Sequence, residues 1–210
     1  RDQPRSRGLG DVYKRQALEY YQLKYDNDKL INDLKELFSG TIKAIMEALD
    51  AKDSYTSGRS KRITYYSIIV AKQLGLSTID TGKVELAGML HDIGMIGVSD
   101  EILYKIDALS QEEYDEIKKH ITYSVKILED IKQLKDVVEI IKYHHEKYDG
   151  TGYPYGVKGE DIPLGSRIIA VADAFDSIIS NRIYRNKIEL QDALNEIKKG
   201  ALTQFDPVVV

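Results

Sequence analysis

Apolar residues recur at helical spacing along most of the chain, and this restricts the fold more than any other feature. They do so from residue 17 to residue 49 and again in six later segments, 57–74, 80–93, 110–131, 135–147, 163–180 and 189–199. No segment alternates apolar and polar residues over the length of a strand. We therefore predict an all-α bundle preceded by an amphipathic connector helix, which is either unbroken or divided near Gly40.

Turn and capping residues support these boundaries. Ser110 and Glu113 form a capping-box pair at the start of one helix, and Gly75 and Gly200 follow the ends of two others. Between two predicted helices lies the Gly- and Pro-rich stretch YDGTGYPYGVKGEDIP, residues 148–163. Long loops of this kind in compact domains are often functional.

Composition limits the class of protein further. With 42% apolar residues among 210, the chain can bury one sizeable core. It has no cysteine, which excludes disulfides and thiolate metal sites and favours a reducing compartment. Its longest apolar runs, 67–71 and 168–172, are too short to cross a bilayer. We predict a cytoplasmic domain without a membrane segment.

Residues 1–16 differ from the rest of the chain. They are rich in Arg and Gly, lack helical periodicity and resemble translated sequencing-adaptor DNA more than a basic nucleic-acid-binding arm. Without their five basic and two acidic side chains the remaining chain has a net charge of −7, which excludes a broad basic face for duplex DNA or RNA. We predict that 1–16 are disordered, that 17–40 form the connector and that 41–210 form the main domain, cut in mid-helix at its carboxyl end.

The chain has only four histidines, and all lie within predicted helices or at their ends. His91 is followed directly by Asp92 at the end of one helix, His120 lies within the next, and His144 and His145 close another just before the Gly-rich loop. Another carboxylate, Asp173, interrupts an apolar run where burial without a partner would be costly. Imidazole and carboxylate ligands suit Fe, Mn or Zn, so the set predicts a metal site.

The motifs HDIG, HHEKYDGTGYP, ADAFDSI, NRIYR and GALTQFDP, in this order, resemble the HD-GYP family from about residue 51 to the end of the chain. The resemblance implies a helical bundle of the HD superfamily that hydrolyses cyclic di-GMP to pGpG or GMP. It also implies two divalent metal ions, commonly iron or manganese, and a sensor or receiver domain upstream. The amphipathic connector helix would then serve as the seam of a homodimer.

The resemblance assigns roles to individual residues. His91, Asp92 and Asp173 would hold the first metal, and Asp92 would bridge to a second one held by His120, His144 and His145. His91 and Asp92 would thus be the catalytic pair. The remaining residues would contact the substrate. Gly152, Tyr153 and Pro154 would form a loop beside the site, and Arg182 and Arg185 would face the substrate phosphates.

The chain departs from the family at several positions. Arg59 stands where the family has a further histidine ligand of the first metal, and Met95 stands where it has a lysine that faces the substrate phosphate. Tyr55 replaces the glutamate of three-metal members, and Asn181 replaces an aspartate. Because Arg59 cannot ligate a metal, we predict that it pairs with Asp92 or Asp173 and that the first metal site is weak or empty.

Three functions are consistent with this sequence. The first is a working phosphodiesterase, perturbed at the first metal site. The second is a catalytically impaired domain that acts as a cyclic di-GMP receptor or a protein-interaction module. The third is a helical scaffold with a vestigial site. The complete second-site set favours the enzyme or the receptor, whereas Arg59 and Met95 favour the receptor over the enzyme. The family resemblance as a whole predicts the phosphodiesterase, with the receptor as the alternative.

Overall fold

A computed structural model describes the backbone of residues 5–52, 58–180 and 189–210, with side chains from Gly10 onward. Its α-helices, numbered α1 to α9 in chain order, are Arg5–Lys52, Arg59–Gln73, Thr78–Leu90, Asp100–Leu103, Gln111–Lys118, His120–Leu128, Lys135–Lys142, Leu164–Ser180 and Leu190–Lys199. Short 3₁₀ helices occupy Ile93–Gly97, Lys132–Leu134 and Gly159–Asp161.

 The last of these, Gly159–Asp161, lies in the loop between α7 and α8. Apart from an isolated bridge between Ala201 and Phe205, the described ranges contain no β-structure, as the sequence predicted.

The chain divides into two compact units, Arg1–Ile45 and Met46–Val210. In the first unit α1 passes Gly40 without a break and extends back to Arg5, so residues 5–16 are helical rather than disordered as predicted. The connector helix therefore neither starts at 17 nor stops at 40. Within the described residues, no helix combines the length and the apolar character needed to cross a lipid bilayer.

The second unit is built around α2, α3, α7 and α8. Helix α2 packs against α3 and α8, α3 also contacts α7, and α6 packs on α7 and on the 3₁₀ segment Ile93–Gly97. The centre is filled by branched aliphatic side chains with at most 1% exposure, namely Ile63, Leu90, Ile121, Ile141, Ile168 and Ile169. Burying such side chains is the main favourable contribution to a fold of this kind.

The helix ends follow the capping signals in the sequence. The Ser110 hydroxyl accepts from the Glu113 amide while the Glu113 carboxylate accepts from the Ser110 amide, which completes the predicted capping box. The predicted helix 110–131 is interrupted at Lys119, so His120 begins α6 instead of lying inside one long helix. The predicted helix 135–147 ends at Lys142, and His144 and His145 therefore lie in the turn that follows α7.

Two glycines permit the close approaches that assemble the site. A side chain at Gly94 would overlap the carbonyl of His120 and the backbone of Ser124, so only glycine lets the segment after α3 lie directly on α6. The Gly94 amide donates to the Ser124 hydroxyl at 2.9 Å in that contact. A side chain at Gly152 would overlap the backbone of Glu146 and Lys147, so glycine also lets the 148–163 loop fold back on the turn after α7.

Candidate metal centre

Four side chains from three separate segments meet in one cluster. Asp92 follows α3, His120 begins α6, and His144 and His145 follow α7. One ligand atom from each lies within 4.8 Å of the ligand atoms of the other three. Three imidazoles and one carboxylate at this spacing can surround a single divalent cation.

Backbone hydrogen bonds orient three of the four histidines. Nδ1 of His91, His120 and His144 lies 2.8, 2.7 and 2.6 Å from the carbonyl oxygen three residues earlier. A carbonyl oxygen can only accept, so each Nδ1 carries a proton and donates it. The same contact orients many metal-binding histidines, because it leaves Nε2 as the ligand atom.

The Nε2 atoms are the strongest sign that the cluster fits a metal ion. Nε2 of His120 and of His144 is buried and forms no hydrogen bond with the described part of the chain. A buried polar atom without a partner costs on the order of 1–3 kcal/mol. A divalent cation among these atoms would remove that cost for His120 and His144, which belong to the cluster.

Charges in the cluster match the protonation states that a metal site requires. Burial would raise the pKa of Asp92, but the neighbouring His91 and His120 hold it well below its usual range. Burial lowers the pKa of His144 well below its ordinary value, and burial with His120 lowers that of His145 to about 3. The cluster therefore presents an ionised carboxylate at Asp92 and neutral imidazoles at His144 and His145.

His91 lies beside the cluster as the partner of Asp92. Its Nε2 is 3.0 Å from Asp92 Oδ2, and its ring is 5.2 Å from that of His144. Burial opposes protonation of His91, but the Asp92 carboxylate outweighs it and raises the His91 pKa to about 9. His91 thus shares the pocket of the other predicted ligands but is ion-paired within it.

The sixth predicted ligand, Asp173, is bound to Arg59. Arg59 Nη2 donates to Asp173 Oδ1 at 2.6 Å, which confirms the predicted salt bridge. Burial raises the pKa of Asp173, although Arg59 opposes the rise. Asp173 lines the same pocket as the cluster but is not one of its four members.

A second arginine–aspartate pair, which the sequence analysis did not single out, supports the first. Arg62 donates through Nε and Nη2 to both oxygens of the fully buried Asp176, at 2.7 and 3.0 Å. Arg59 and Arg62 lie one turn apart on α2, and Asp173 and Asp176 lie one turn apart on α8. Their i, i+3 spacing in both helices was the available signal.

The cluster opens into a cavity of about 280 Å³. Its walls combine the site residues with apolar side chains from several elements: Leu49, Asp50, Arg59, Ser60, Asp92, Met95, Ile117, His120, His145, Tyr153 and Asp173. Pockets that enclose a drug-sized ligand usually have about 300–1,000 Å³. This cavity is therefore of a size for part of a large ligand, such as one phosphodiester with its neighbouring sugar.

The 148–163 loop forms one wall of this cavity. Tyr153 stacks on His145 with the ring centroids 4.9 Å apart, and its amide donates to the His145 carbonyl. Glu146, which the sequence analysis did not single out, accepts from the amides of Tyr155 and Gly156 at 2.7 and 3.1 Å. The buried Glu146 carboxylate thus holds the loop next to the histidine pair.

Lys118 is a further residue that the sequence analysis passed over. Its Nζ lies 4.5 Å from the centroid of the Tyr114 ring and 5.6 Å from that of Tyr153, and it also contacts Asp115 at 2.7 Å. This arrangement places a cation beside the loop that walls the cavity. The predicted phosphate-facing residues Arg182 and Arg185 lie outside the described residues, as do Tyr55 and Asn181.

Comparison with known proteins agrees with the fold. The family model described as HD domain matches residues 43–209. The 3′3′-cGAMP-specific phosphodiesterase 3 of Vibrio cholerae is 39% identical over 79% of this chain and 36% of its own length. A cyclic di-GMP phosphodiesterase of Thermotoga maritima is 32% identical over 90% of this chain and 52% of its own length.

A solved structure shares the fold. The crystal structure of a cyclic GMP-AMP specific phosphodiesterase of V. cholerae, V-cGAP3, superposes with a TM-score of 0.62 at 21% identity, over 80% of this chain and 46% of that one. The chain thus spans about a third to a half of the length of the relatives that it matches. From residue 43 onward the chain belongs to the HD domain family, in the HD-GYP branch that its motifs predicted.

Proposed function

We propose that the chain is a metal-dependent phosphodiesterase that hydrolyses a cyclic dinucleotide, with cyclic di-GMP as the substrate and pGpG or GMP as the product. The observation that carries this proposal is the cluster of Asp92, His120, His144 and His145 in the cavity, next to buried Nε2 atoms without partners. The names of the relatives support the same class of reaction, and favour an enzyme over a receptor or a scaffold.

Asp92, His120, His144 and His145 would hold a divalent ion, with iron or manganese as the expected metals. When bound, such an ion supplies Lewis acidity toward water and toward a phosphodiester oxygen. The chain's own contribution is to orient the imidazoles through their Nδ1 hydrogen bonds and to keep Asp92 ionised. His91, paired with Asp92, holds that carboxylate in place.

Residues around the cavity would position the nucleotide. Tyr153 lines one side of the cavity, where its ring offers an apolar face to a base or a sugar. Its loop neighbours Gly152 and Pro154 remain proposed as substrate contacts from the sequence. Lys118 would attract the phosphates from the rim, and Arg182 and Arg185 remain proposed as phosphate contacts from the sequence. Because the cavity is small, we expect one phosphodiester to enter and the rest of the dinucleotide to lie outside.

A second substrate, 3′,3′-cGAMP, deserves the same test because the 39% identical relative is named for it. The purified chain, loaded with Mn²⁺ or Fe²⁺, should convert at least one of the two cyclic dinucleotides to a linear product that chromatography separates. A His120→Ala variant prepared in parallel should be inactive. Tight binding of either nucleotide without any product would instead assign the receptor function, and neither binding nor turnover would refute both.

We also propose partners for the whole protein. The relatives extend well beyond the matched region, which supports an additional sensor or receiver domain, and a homodimer through α1 would connect it to the catalytic unit. An intracellular signalling nucleotide as substrate, together with a chain that has no cysteine, supports a cytoplasmic location.

A further inference from the structure

Arg59 is the residue of the cavity whose chemistry differs most from that of a metal site. It begins α2, and its guanidinium reaches across to α8, where it lies 2.6 Å from Asp173 and 3.9 Å from Asp176. Its side chain retains 24% exposure and lines the cavity together with Asp92 and His145. A positive charge thus stands among carboxylates beside the four-residue cluster.

The neighbouring charges determine what Arg59 neutralises. Arg62 already donates to both oxygens of Asp176, so Asp176 has its cation. Asp92 is paired with His91 and belongs to the cluster. Among the described residues, Asp173 has Arg59 as its cationic partner, at hydrogen-bond distance.

A guanidinium in this position disfavours a divalent ion on the same carboxylate. Arginine has no lone pair to offer and keeps its proton at every accessible pH, so it cannot become a ligand. A metal ion on the other oxygen of Asp173 would lie close to the guanidinium, against the repulsion of like charges. Arg59 has further N–H donors besides the one that it gives to Asp173, and these suit a phosphodiester oxygen.

We infer that the centre takes one divalent ion, at Asp92, His120, His144 and His145, and that the Arg59 guanidinium supplies the second positive charge toward a substrate phosphate. The inference rests on the proposed function only for its second half, because the number of ions follows from the salt bridge. Unlike an exchangeable metal ion, this charge is permanent. The metal-free protein therefore keeps part of its affinity for a phosphodiester.

The first test counts metal ions. The full chain is saturated with Mn²⁺, free metal is removed, and bound Mn²⁺ per chain is measured by plasma mass spectrometry. The parent should retain about one ion, and Arg59→His, which offers an imidazole and frees Asp173, should retain about two. Arg59→Gln, which removes the charge without adding a strong ligand, is the matched control and should stay near one.

The second test measures anion binding without metal. Calorimetric titration of the linear dinucleotide pGpG in the presence of EDTA should give affinity for the parent and about tenfold weaker affinity for Arg59→Gln, as expected for the loss of one charge-assisted hydrogen bond. Circular dichroism and thermal melting establish that each variant is folded before either measurement.

The outcomes separate the two proposals. A parent that binds two Mn²⁺ ions, or a folded Arg59→His variant that still binds one, overturns the single-ion inference. Equal pGpG affinity for the parent and Arg59→Gln overturns the role of the guanidinium in anion binding. A parent with one ion and no affinity for pGpG under any metal condition leaves the ion count standing and counts against the proposed phosphodiesterase.

Discussion

Single side chains decide which atoms face the cavity. Nδ1 of His120 and of His144 donates to a carbonyl of the preceding turn, and this leaves Nε2 as the atom that faces the rest of the cluster. Two neighbouring lysines differ in their surroundings, since Lys118 lies over two tyrosine rings whereas Lys119 pairs with Glu116. Position in the sequence alone gives no means of separating neighbours like these.

The two lysines provide a matched comparison for substrate binding. Lys118→Gln should raise KM for the cyclic dinucleotide by roughly fivefold and leave kcat within about a factor of two, because it removes a rim charge that attracts phosphate without touching the reacting atoms. Lys119→Gln removes the same charge one residue away and should change neither parameter. Steady-state kinetics on both variants checks this, and equal effects from the two would mean that only the net charge of the domain matters.

At the scale of single elements, α1 carries an exposed apolar stripe. Leu23, Leu30, Leu34 and Leu37 are 70%, 57%, 56% and 68% exposed. Together with Tyr20 they follow alternating three- and four-residue steps, with Asn27 at the one polar position among them. An apolar heptad pattern with a lone asparagine favours a parallel two-stranded coiled coil in a single register.

Because the chain has no cysteine, single cysteines can test this register. Leu23→Cys and Leu37→Cys, each alone, should form a disulfide-linked dimer under mild oxidation, because a parallel helix pair places each of these positions opposite itself. Non-reducing electrophoresis measures the product. Asn32→Cys, on the opposite face of the helix, should remain monomeric.

An antiparallel pair gives a different result in the same experiment. With the stripe from 20 to 37 aligned end to end, position 23 would oppose position 34, so a mixture of Leu23→Cys and Leu34→Cys would crosslink while neither did so alone. A chain that sediments as a monomer at every accessible concentration would remove the dimer altogether.

At the scale of the whole molecule, the second unit combines an aliphatic core with a polar centre. In that centre, Nε2 of His120 and of His144 forms no hydrogen bond with the described residues. The core stabilises the fold, and the centre stabilises it fully only when a cation satisfies those atoms. Metal affinity and folding stability should therefore be linked, since a ligand that binds only the folded state raises its stability.

Thermal melting measures this linkage directly. At Mn²⁺ concentrations about 100-fold above the dissociation constant, binding contributes about 2.7 kcal/mol, which corresponds to a rise in Tm of roughly 5–10 °C for a unit of this size. His144→Ala should lose most of that rise, because it removes one of the four ligands. A parent whose Tm does not change with Mn²⁺ would contradict the metal centre. A His144→Ala variant that keeps the full rise in Tm would exclude His144 as a ligand.

Much of this architecture could be predicted from local patterns. Helical periodicity indicates which face of a segment is buried, and this predicted the helices of the second unit to within a few residues at most ends. The histidines beside helix ends and the carboxylates on apolar faces predicted a common pocket. The charge of Arg59 predicted a bond to Asp92 or Asp173, and the structure has the bond to Asp173. These features depend on residue chemistry and on spacing along one helix, both of which the sequence displays.

Other features depend on which elements meet, and only the tertiary structure decided them. Periodicity did not show that Asp173 would turn to Arg59 while Asp92 joined three imidazoles, because that choice depends on how α2 and α8 pack. Nor did it show that Lys118 would lie over two aromatic rings or that Glu146 would hold the loop. A local pattern fixes the face that a helix buries, whereas the partner of each side chain is set by contacts between residues far apart in the chain.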